Sequence, residues 1–112
     1  MVCKVLEYLS EDSKNHYREW FDGLPAEHAA KVAAARARMM VGNMGNVKPL
    51  DGALKEYRID WGPGIRIYLL QDGEKLVVLL GGGTKKGQNA DIKKAKLLRD
   101  EYFSRKSASK KQ

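Results

Sequence analysis

Positively charged side chains occur at three points of one stretch of the sequence, and their types suit phosphate. Arg58 and Arg66 flank the glycine-rich segment 62–64, and Lys85 and Lys86 follow a run of three glycines. A guanidinium group presents a planar fork of N–H donors that matches two phosphate oxygens, whereas a lysine supplies a mobile point charge. Such a set can bind a polyanion or stabilise a charged transition state at phosphorus.

The net charge of +7 has a definite location. Residues 1–83 hold 11 Lys/Arg and 11 Asp/Glu, whereas residues 84–112 hold 10 Lys/Arg and 3 Asp/Glu. A localised excess of positive charge is typical of proteins that bind polyanions. The alternative is a solvated helix face followed by a disordered basic tail, which we predict for residues 104–112.

Cysteine and histidine content argues against a metal centre or a cofactor. Cys3 is the single cysteine, and the two histidines, His16 and His28, are isolated from it in the sequence. This excludes an internal disulfide and a multi-cysteine metal site. The N-terminal apolar run is too short for a signal peptide, and no stretch reaches the ~20 apolar residues of a membrane span. We therefore expect a cytoplasmic protein without a cofactor.

The elements that must position the cations follow from hydrophobic periodicity. Residues 2–9 resemble a strand, and two helices follow, the second over 26–41. Residues 42–52 are predicted to form a loop, three strands occupy 56–80, and a last helix begins at Gln88 or Asn89. The order β-α-α-β-β-β-α predicts an α+β fold with a mainly antiparallel four-stranded sheet and a helical hairpin on one face. The predicted domain spans residues 1–103.

Strand patterning predicts which side chains share a sheet face. A three-residue connection at 62–64 sets Trp61 opposite Ile65, and a two-residue Asp72-Gly73 turn sets Leu69 opposite Leu76. One face is then wholly apolar or aromatic and should lie under the helical hairpin: Tyr57, Ile59, Trp61, Ile65, Ile67, Leu69, Leu76, Val78 and Leu80. The other face should be a half-sheltered, concave surface: Glu56, Arg58, Asp60, Arg66, Tyr68, Val77 and Leu79.

Several motifs resemble a known family. The segment 56–68, the glycines and lysines at 82–87, the segment 88–95 and the upstream segment 42–50 resemble the RelE/ParE toxin superfamily. The similarity is greatest to its HigB-like "addiction module killer" branch, and it covers roughly residues 15–103.

The resemblance implies a small bacterial toxin that a co-expressed antitoxin neutralises. RelE-like members cut messenger RNA at the ribosome without a metal ion, whereas ParE-like members share the fold and inhibit DNA gyrase. Since fold alone does not choose between these activities, we expect a messenger RNA endoribonuclease, with gyrase inhibition or RNA binding without cleavage as alternatives. The expected partners are messenger RNA, the ribosome and a small helix-turn-helix antitoxin.

The resemblance also implies roles for particular residues. Arg66 matches a functional arginine after the hairpin glycine, Arg58 matches a basic strand position, and either Lys85 or Lys86 matches a basic residue after the last strand. Asp91 and Tyr68 are the candidates for proton transfer, because His16 and His28 fall in the first two helices. The expected RNA-binding positions are Lys48, Gln88, Lys93 and Lys94.

Arg66, Tyr68 and Asp91 also have purely structural interpretations. The predicted pairing places Asp60 opposite Arg66, so Arg66 could form a cross-strand ion pair. Tyr68 could pack beside Arg58, and Asp91 could complement the helix dipole. We expect His16 and His28 at the helix surface.

Overall fold

The computed structural model describes residues 2–110, which form an α+β domain with a five-stranded mixed sheet and three helices. The elements in chain order are β1 (Lys4–Glu7), α1 (His16–Asp22), α2 (Ala26–Met40), β2 (Val47–Asp51), β3 (Leu54–Ile59), β4 (Ile65–Gln71), β5 (Leu76–Thr84), a 3-10 turn (Lys85–Gly87) and α3 (Gln88–Lys110). The predicted α+β class is therefore confirmed.

The sheet has one strand more than the sequence predicted. Its order is β1-β5-β4-β3-β2, with β1 parallel to β5 and the remaining neighbours antiparallel. The additional strand is β2, a short segment with Pro49 that we predicted as part of the loop 42–52. It lies at the sheet edge, where a strand tolerates a proline because one row of backbone groups needs no partner. A tight turn at Gly52, whose φ is +58°, joins it to β3.

The β3–β4 pairing is displaced by two residues from the prediction, but the residues of these two strands lie on the sheet faces that were predicted for them. Ile59 lies opposite Ile65 and Tyr57 lies opposite Ile67, so the connection runs from Asp60 to Gly64. Because side chains alternate with a period of two, a two-residue displacement leaves each side chain on its predicted face. The predicted position of Asp60 directly opposite Arg66 is wrong, since Arg58 occupies it, although the predicted ion pair between the two side chains is present at 4.0 Å.

The faces of β5 are exchanged relative to the prediction. Gln71 pairs with Val77, and a register shift between Tyr68 and Leu69 follows, with Leu69 opposite Leu79. Val77 and Leu79 therefore join the apolar set under the first two helices. The run Leu76–Leu80 is apolar at every position, so its pattern could not distinguish the two faces.

Both faces of the sheet are covered by helices. On one face, Tyr17 of α1 and Val32 and Met39 of α2 pack on Tyr57 and Ile67. The opposite face, predicted to be a half-sheltered surface, is covered by α3, which packs Ala95 and Leu98 on β4 and β5 residues. Candidate functional side chains must therefore lie at the edges of this three-layer arrangement of helices and sheet.

The last helix is longer than predicted. It continues through Lys110, so most of the segment 104–112 is helical rather than disordered, and residues 111–112 lie outside the described part. Arg105 Nη1 donates to the Leu9 carbonyl at 2.8 Å, and Lys106 Nζ lies 2.7 Å from Asp72 Oδ2. These long-range contacts hold the end of α3 against the sheet. Within residues 2–110, no helix is both long and apolar enough to cross a membrane.

Candidate functional site

Two arginines lie directly opposite each other on the face of the sheet that α3 covers. Arg58 of β3 and Arg66 of β4 are cross-strand partners, an arrangement that is unfavourable for like charges. The fully buried carboxylate of Glu56 compensates them: Arg58 Nε donates to Oε1 at 2.7 Å, and Arg66 Nε lies 4.0 Å from Oε2. Gln88 Nε2, at the start of α3, donates to the same Oε2 at 3.4 Å.

Glu56 was not identified from the sequence as the partner of these arginines. The signal was present, since Glu56 and Arg58 are two residues apart on one strand and therefore project from the same face. We assigned that role to Asp60, whose side chain is 92% exposed and lies 4.0 Å from Arg66 Nη1.

The side chain of Arg66 is held in place with only 8% of its surface exposed. Its Nη1 lies 3.5 Å from the carbonyl oxygen of Ile65, and its buried Nε has no hydrogen-bond partner within the described chain. A guanidinium held in this way keeps its orientation before any ligand arrives.

Arg66 and Lys85 line one depression at the mouth of the β3–β4 hairpin. We call this depression the hairpin groove; it has a volume of about 290 Å³ and is lined by Asp60, Trp61, Gly62, Pro63, Gly64, Arg66 and Lys85. The backbone N–H of Lys85 donates to the Gly64 carbonyl at 2.9 Å, which ties the end of β5 to the hairpin. Gly64 has a φ of +76°, and a Cβ there would lie 3.4 Å from Lys85 Cβ. The glycine thus permits both the turn and the close approach.

The other predicted cations are not among the residues that line this groove. Arg58 is 43% exposed beside it, and Lys86 is exposed on the turn after Lys85. Lys48 is exposed on β2 as the cross-strand neighbour of Glu56. Lys93 is exposed on α3, whereas Lys94 lines a different cavity.

A second cavity lies between α1 and α3, beside the part of β5 that extends past its pairing with β1. We call it the α1–α3 cavity; its volume is about 360 Å³, and its lining residues are His16, Glu19, Trp20, Tyr68, Leu80, Gly81, Gly82, Asp91, Lys94, Ala95 and Leu98. Both candidates for proton transfer, Tyr68 and Asp91, lie here rather than in the hairpin groove.

The two polar groups of this cavity are perturbed by their surroundings. Burial, and then the nearby charges of Asp91 and Glu56, raise the pKa of Tyr68 to about 12, and its buried hydroxyl has no hydrogen-bond partner in the described chain. Burial also raises the pKa of the Asp91 carboxyl, against the opposing charge of Lys94. The Tyr68 hydroxyl therefore has no partner to offset its loss of water, whereas the half-buried Asp91 carboxyl is partly offset by the charge of Lys94.

Consecutive glycines of β5 allow the walls of the cavity to approach the strand. A Cβ on Gly82 would overlap the indole of Trp20, and a Cβ on Gly83 would overlap the carboxyl of Asp91. Since neighbouring residues of a strand point to opposite faces, Trp20 and Asp91 approach from the two sides of the sheet. The cavity opens between them at the strand edge.

The position of His16 at this cavity was not anticipated. We predicted surface positions for both histidines, but His16 is half-buried and lines the cavity as the first residue of α1. Its separation of four residues from Trp20 places both on one side of the helix, which was the available signal. His28 instead lies edge-on to Trp61, with ring centroids 5.1 Å apart. Within residues 2–110, no three His, Cys, Asp or Glu side chains are grouped to hold a metal ion.

Fold and site together define a small α+β protein with a basic groove and an adjoining cavity at one end of a mixed sheet. No protein-family model matches the chain. The chain is 46% identical over 102 residues to an uncharacterized protein of Haemophilus influenzae, an alignment that covers 90% of this chain and 97% of that protein. The chain therefore belongs to the same family as this Haemophilus protein.

Proposed function

We propose that the chain is the toxin of a type II toxin–antitoxin pair, with the RelE/HigB-like arrangement, and that it cleaves messenger RNA at the ribosome without a metal ion. The observation that carries this proposal is the convergence of Arg66 and Lys85 in the hairpin groove, with Arg58 beside it. The motif resemblance of segments 56–68 and 82–95 supports the same conclusion. A small helix-turn-helix antitoxin would neutralise it.

In this proposal, the groove supplies electrostatic stabilisation. Attack of a ribose 2′-oxygen on the adjacent phosphate increases negative charge on the phosphate oxygens, and fixed donors stabilise that charge without reorganising. Arg66 lies against Glu56 and the Ile65 carbonyl, and Lys85 adds a second charge to the lining of the groove. Removal of one such fixed donor typically lowers the rate by about 10²–10³.

Proton transfer by Asp91 or Tyr68 remains a prediction, and the two residues suit different roles. With a pKa of about 12, Tyr68 stays protonated at neutral pH and can donate a proton but cannot accept one. Asp91 is the group that could accept a proton, although its carboxyl lies in the α1–α3 cavity.

The exposed lysines around the groove would hold the RNA backbone. Lys48, Lys86 and Lys93 are exposed and belong to three different elements. Each phosphate that such a residue neutralises releases a counterion, so RNA affinity should fall steeply with added salt. An affinity that is independent of salt would show that these charges lie away from the RNA.

A second candidate function is supported by the shielding of Arg66. Its side chain is 8% exposed and lies near two carboxylates, and the residues that line the groove include no imidazole. A ParE-type inhibitor of DNA gyrase, or an RNA-binding module without cleavage, would not need an exposed catalytic arginine. These are the alternatives against which the proposal is tested.

Induction of the chain without a partner protein in a bacterial host separates these functions. We expect growth arrest within a few generations, new 5′ ends in messenger RNA by end mapping, and unchanged plasmid supercoiling. Altered supercoiling without new RNA ends would favour the gyrase inhibitor. Normal growth at high levels of folded protein would contradict the toxin class.

A further inference from the structure

The α1–α3 cavity contains one buried polar group without a hydrogen-bond partner, the Tyr68 hydroxyl, and a half-buried carboxylate, that of Asp91. Tyr68 is 1% exposed and its hydroxyl makes no hydrogen bond within the described chain. An unsatisfied buried polar group typically costs ~1–3 kcal/mol. The carboxyl of Asp91 is also desolvated, and the influences on it are burial and the charge of Lys94, with no hydrogen bond among them. A ligand that donates to the Asp91 carboxylate and accepts from the Tyr68 hydroxyl would satisfy both groups.

The remaining walls of the cavity suit a flat, largely apolar ligand. Leu80, Ala95 and Leu98 are buried apolar side chains, and the indole of Trp20 lies against Gly82. The volume of about 360 Å³ falls within the ~300–1,000 Å³ typical of small-molecule sites. Proteins that read single-stranded RNA place unstacked bases in pockets of this kind, with hydrogen bonds to the base edge.

The pairing of a carboxylate with a tyrosine hydroxyl selects among the four bases. A carboxylate accepts hydrogen bonds and donates none, so it fits a base edge with adjacent donors. Guanine presents two neighbouring donors, N1–H and the N2 amino group, followed by the O6 acceptor. Adenine, cytosine and uracil each present one donor group on that edge. Asp91 can therefore accept from guanine N1–H and N2–H while a hydroxyl such as that of Tyr68 donates to O6.

We propose that the α1–α3 cavity is a recognition pocket for a guanine base of the RNA, read by Asp91 and Tyr68. This inference rests on the proposed function for the identity of the polymer, and it gives both residues a binding role rather than proton transfer. Lys94 and Lys85, at the rim of the cavity and in the hairpin groove, would hold the phosphates on either side of the base. Gly82 and Gly83 act as positioning residues, because any side chain there would displace Trp20 or Asp91.

The test uses nucleosides that lack phosphate, so that the basic groove contributes nothing. Guanosine, adenosine, cytidine and uridine are titrated against the full chain while backbone amide signals are recorded by NMR. We expect guanosine to shift the signals of Gly81, Gly82 and Asp91, and to bind at least about tenfold more tightly than the other three. Equal binding of all four nucleosides, or no shifts at these residues, would overturn the proposal.

Variants separate recognition from a general effect on the fold. Asp91→Asn should weaken guanosine binding about tenfold to hundredfold, because it removes a charged acceptor of two hydrogen bonds. Tyr68→Phe should weaken it about fivefold. Asp100→Asn is the matched control, since it makes the same change at an exposed position of α3 and should bind guanosine like the unaltered chain. Unchanged affinity in a folded Asp91→Asn protein would overturn the assignment of Asp91.

The guanine pocket and the proposed function can be refuted independently of each other. A chain that cuts RNA but does not bind guanosine would refute the pocket and leave the ribonuclease standing. A chain that binds guanosine in the cavity but neither cuts RNA nor arrests growth would keep the pocket and refute the toxin.

Discussion

The hairpin groove and the α1–α3 cavity occupy the same end of the sheet, and they differ in the charges that lie near their buried polar groups. In the groove, the Arg66 guanidinium lies near the Ile65 carbonyl and 4.0 Å from the carboxylates of Glu56 and Asp60, and its buried Nε has no hydrogen-bond partner in the described chain. In the cavity, the Tyr68 hydroxyl has no hydrogen-bond partner in the described chain, and the Asp91 carboxyl is desolvated. Nearby carboxylates therefore offset the charge of Arg66, whereas the Tyr68 hydroxyl is a neutral group whose missing hydrogen bond a ligand can supply.

The difference arises from what β5 brings to each region. Its end fixes the groove through a backbone hydrogen bond from Lys85, the next residue, to Gly64. Its glycines only make room in the cavity, where Trp20 and Asp91 come from α1 and α3. We therefore expect changes in charge to alter protein stability mainly at the groove, and changes in side-chain volume to alter it mainly at the cavity.

The largest effect on stability is expected at Glu56, the buried carboxylate beside Arg66 of the groove. Glu56→Gln removes the carboxylate that separates two opposed arginines, and loss of one member of a buried ion pair typically costs ~3–5 kcal/mol. Because Arg58 is partly exposed, we expect a decrease of about 3 kcal/mol in the free energy of unfolding, measured with urea. Glu74→Gln, at an exposed turn, is the control and should change it by less than about 0.5 kcal/mol. Equal stability of both variants would show that Glu56 is not the compensating charge.

The next effect concerns Glu7, which attaches the α1 wall of the cavity to β1. Hydrogen bonds from Arg18, and then from Arg36 and Asn15, lower the pKa of Glu7 from 4.5 to about 2 despite its burial. A lowered pKa in the folded state contributes stability that is present above pH 4.5 and is lost as pH falls towards 2. We expect this loss to be on the order of 2 kcal/mol. In a urea series across this range, Glu7→Gln should lack that component of the pH dependence.

A similar effect is expected from added volume at Gly82. Gly82→Ala forces the Trp20 ring away from the strand, and overpacking typically costs ~1–3 kcal/mol. A Cβ added at the neighbouring Gly81 would meet no atom within 4 Å, so Gly81→Ala is a matched control that should be neutral or slightly stabilising. Thermal unfolding of the two variants measures the contrast. Equal destabilisation would mean that backbone conformation, not the Trp20 contact, requires glycine.

The smallest effect has the opposite sign and belongs to Asp91. Because burial raises its pKa in the folded state, the ionised carboxyl opposes folding above that pKa, and this cost disappears as pH falls through it. Asp91→Asn should therefore increase the free energy of unfolding at neutral pH by less than about 1 kcal/mol. Urea unfolding at pH 7 detects it, and a clear loss of stability would show that the carboxyl has a structural partner.

Parts of the fold were predictable because the sequence alternates strongly. In β3 and β4, apolar residues at 57, 59, 65 and 67 alternate with the charged residues Glu56, Arg58 and Arg66. That alternation identified the correct faces even though the pairing was displaced by two residues. In β5, the uniformly apolar run 76–80 carried no such information, and its faces were exchanged.

Other features depend on contacts between distant parts of the chain. The helical end of α3 relies on Asp72 and on the Leu9 carbonyl, which local composition at 104–110 does not reveal. The position of His16 depends on the packing of α1 beside the glycines of β5. The sequence grouped Arg66 with either Lys85 or Lys86, and the structure places Lys85 in the groove. The separation of Tyr68 and Asp91 into another cavity depends on the position of α3.

The central claim is that Arg66 acts on phosphate in the hairpin groove, and the rate of RNA cleavage by Arg66→Lys tests it most directly. Lysine keeps the charge beside Glu56 but loses the planar fork. Messenger RNA is incubated with purified ribosomes and folded protein, and cleavage is compared with that of Arg38→Lys, a matched change at an exposed position of α2. We predict a rate about 10²–10³ lower for Arg66→Lys and an unchanged rate for Arg38→Lys. Cleavage by a folded Arg66→Lys protein at the rate of the unaltered chain would contradict the claim.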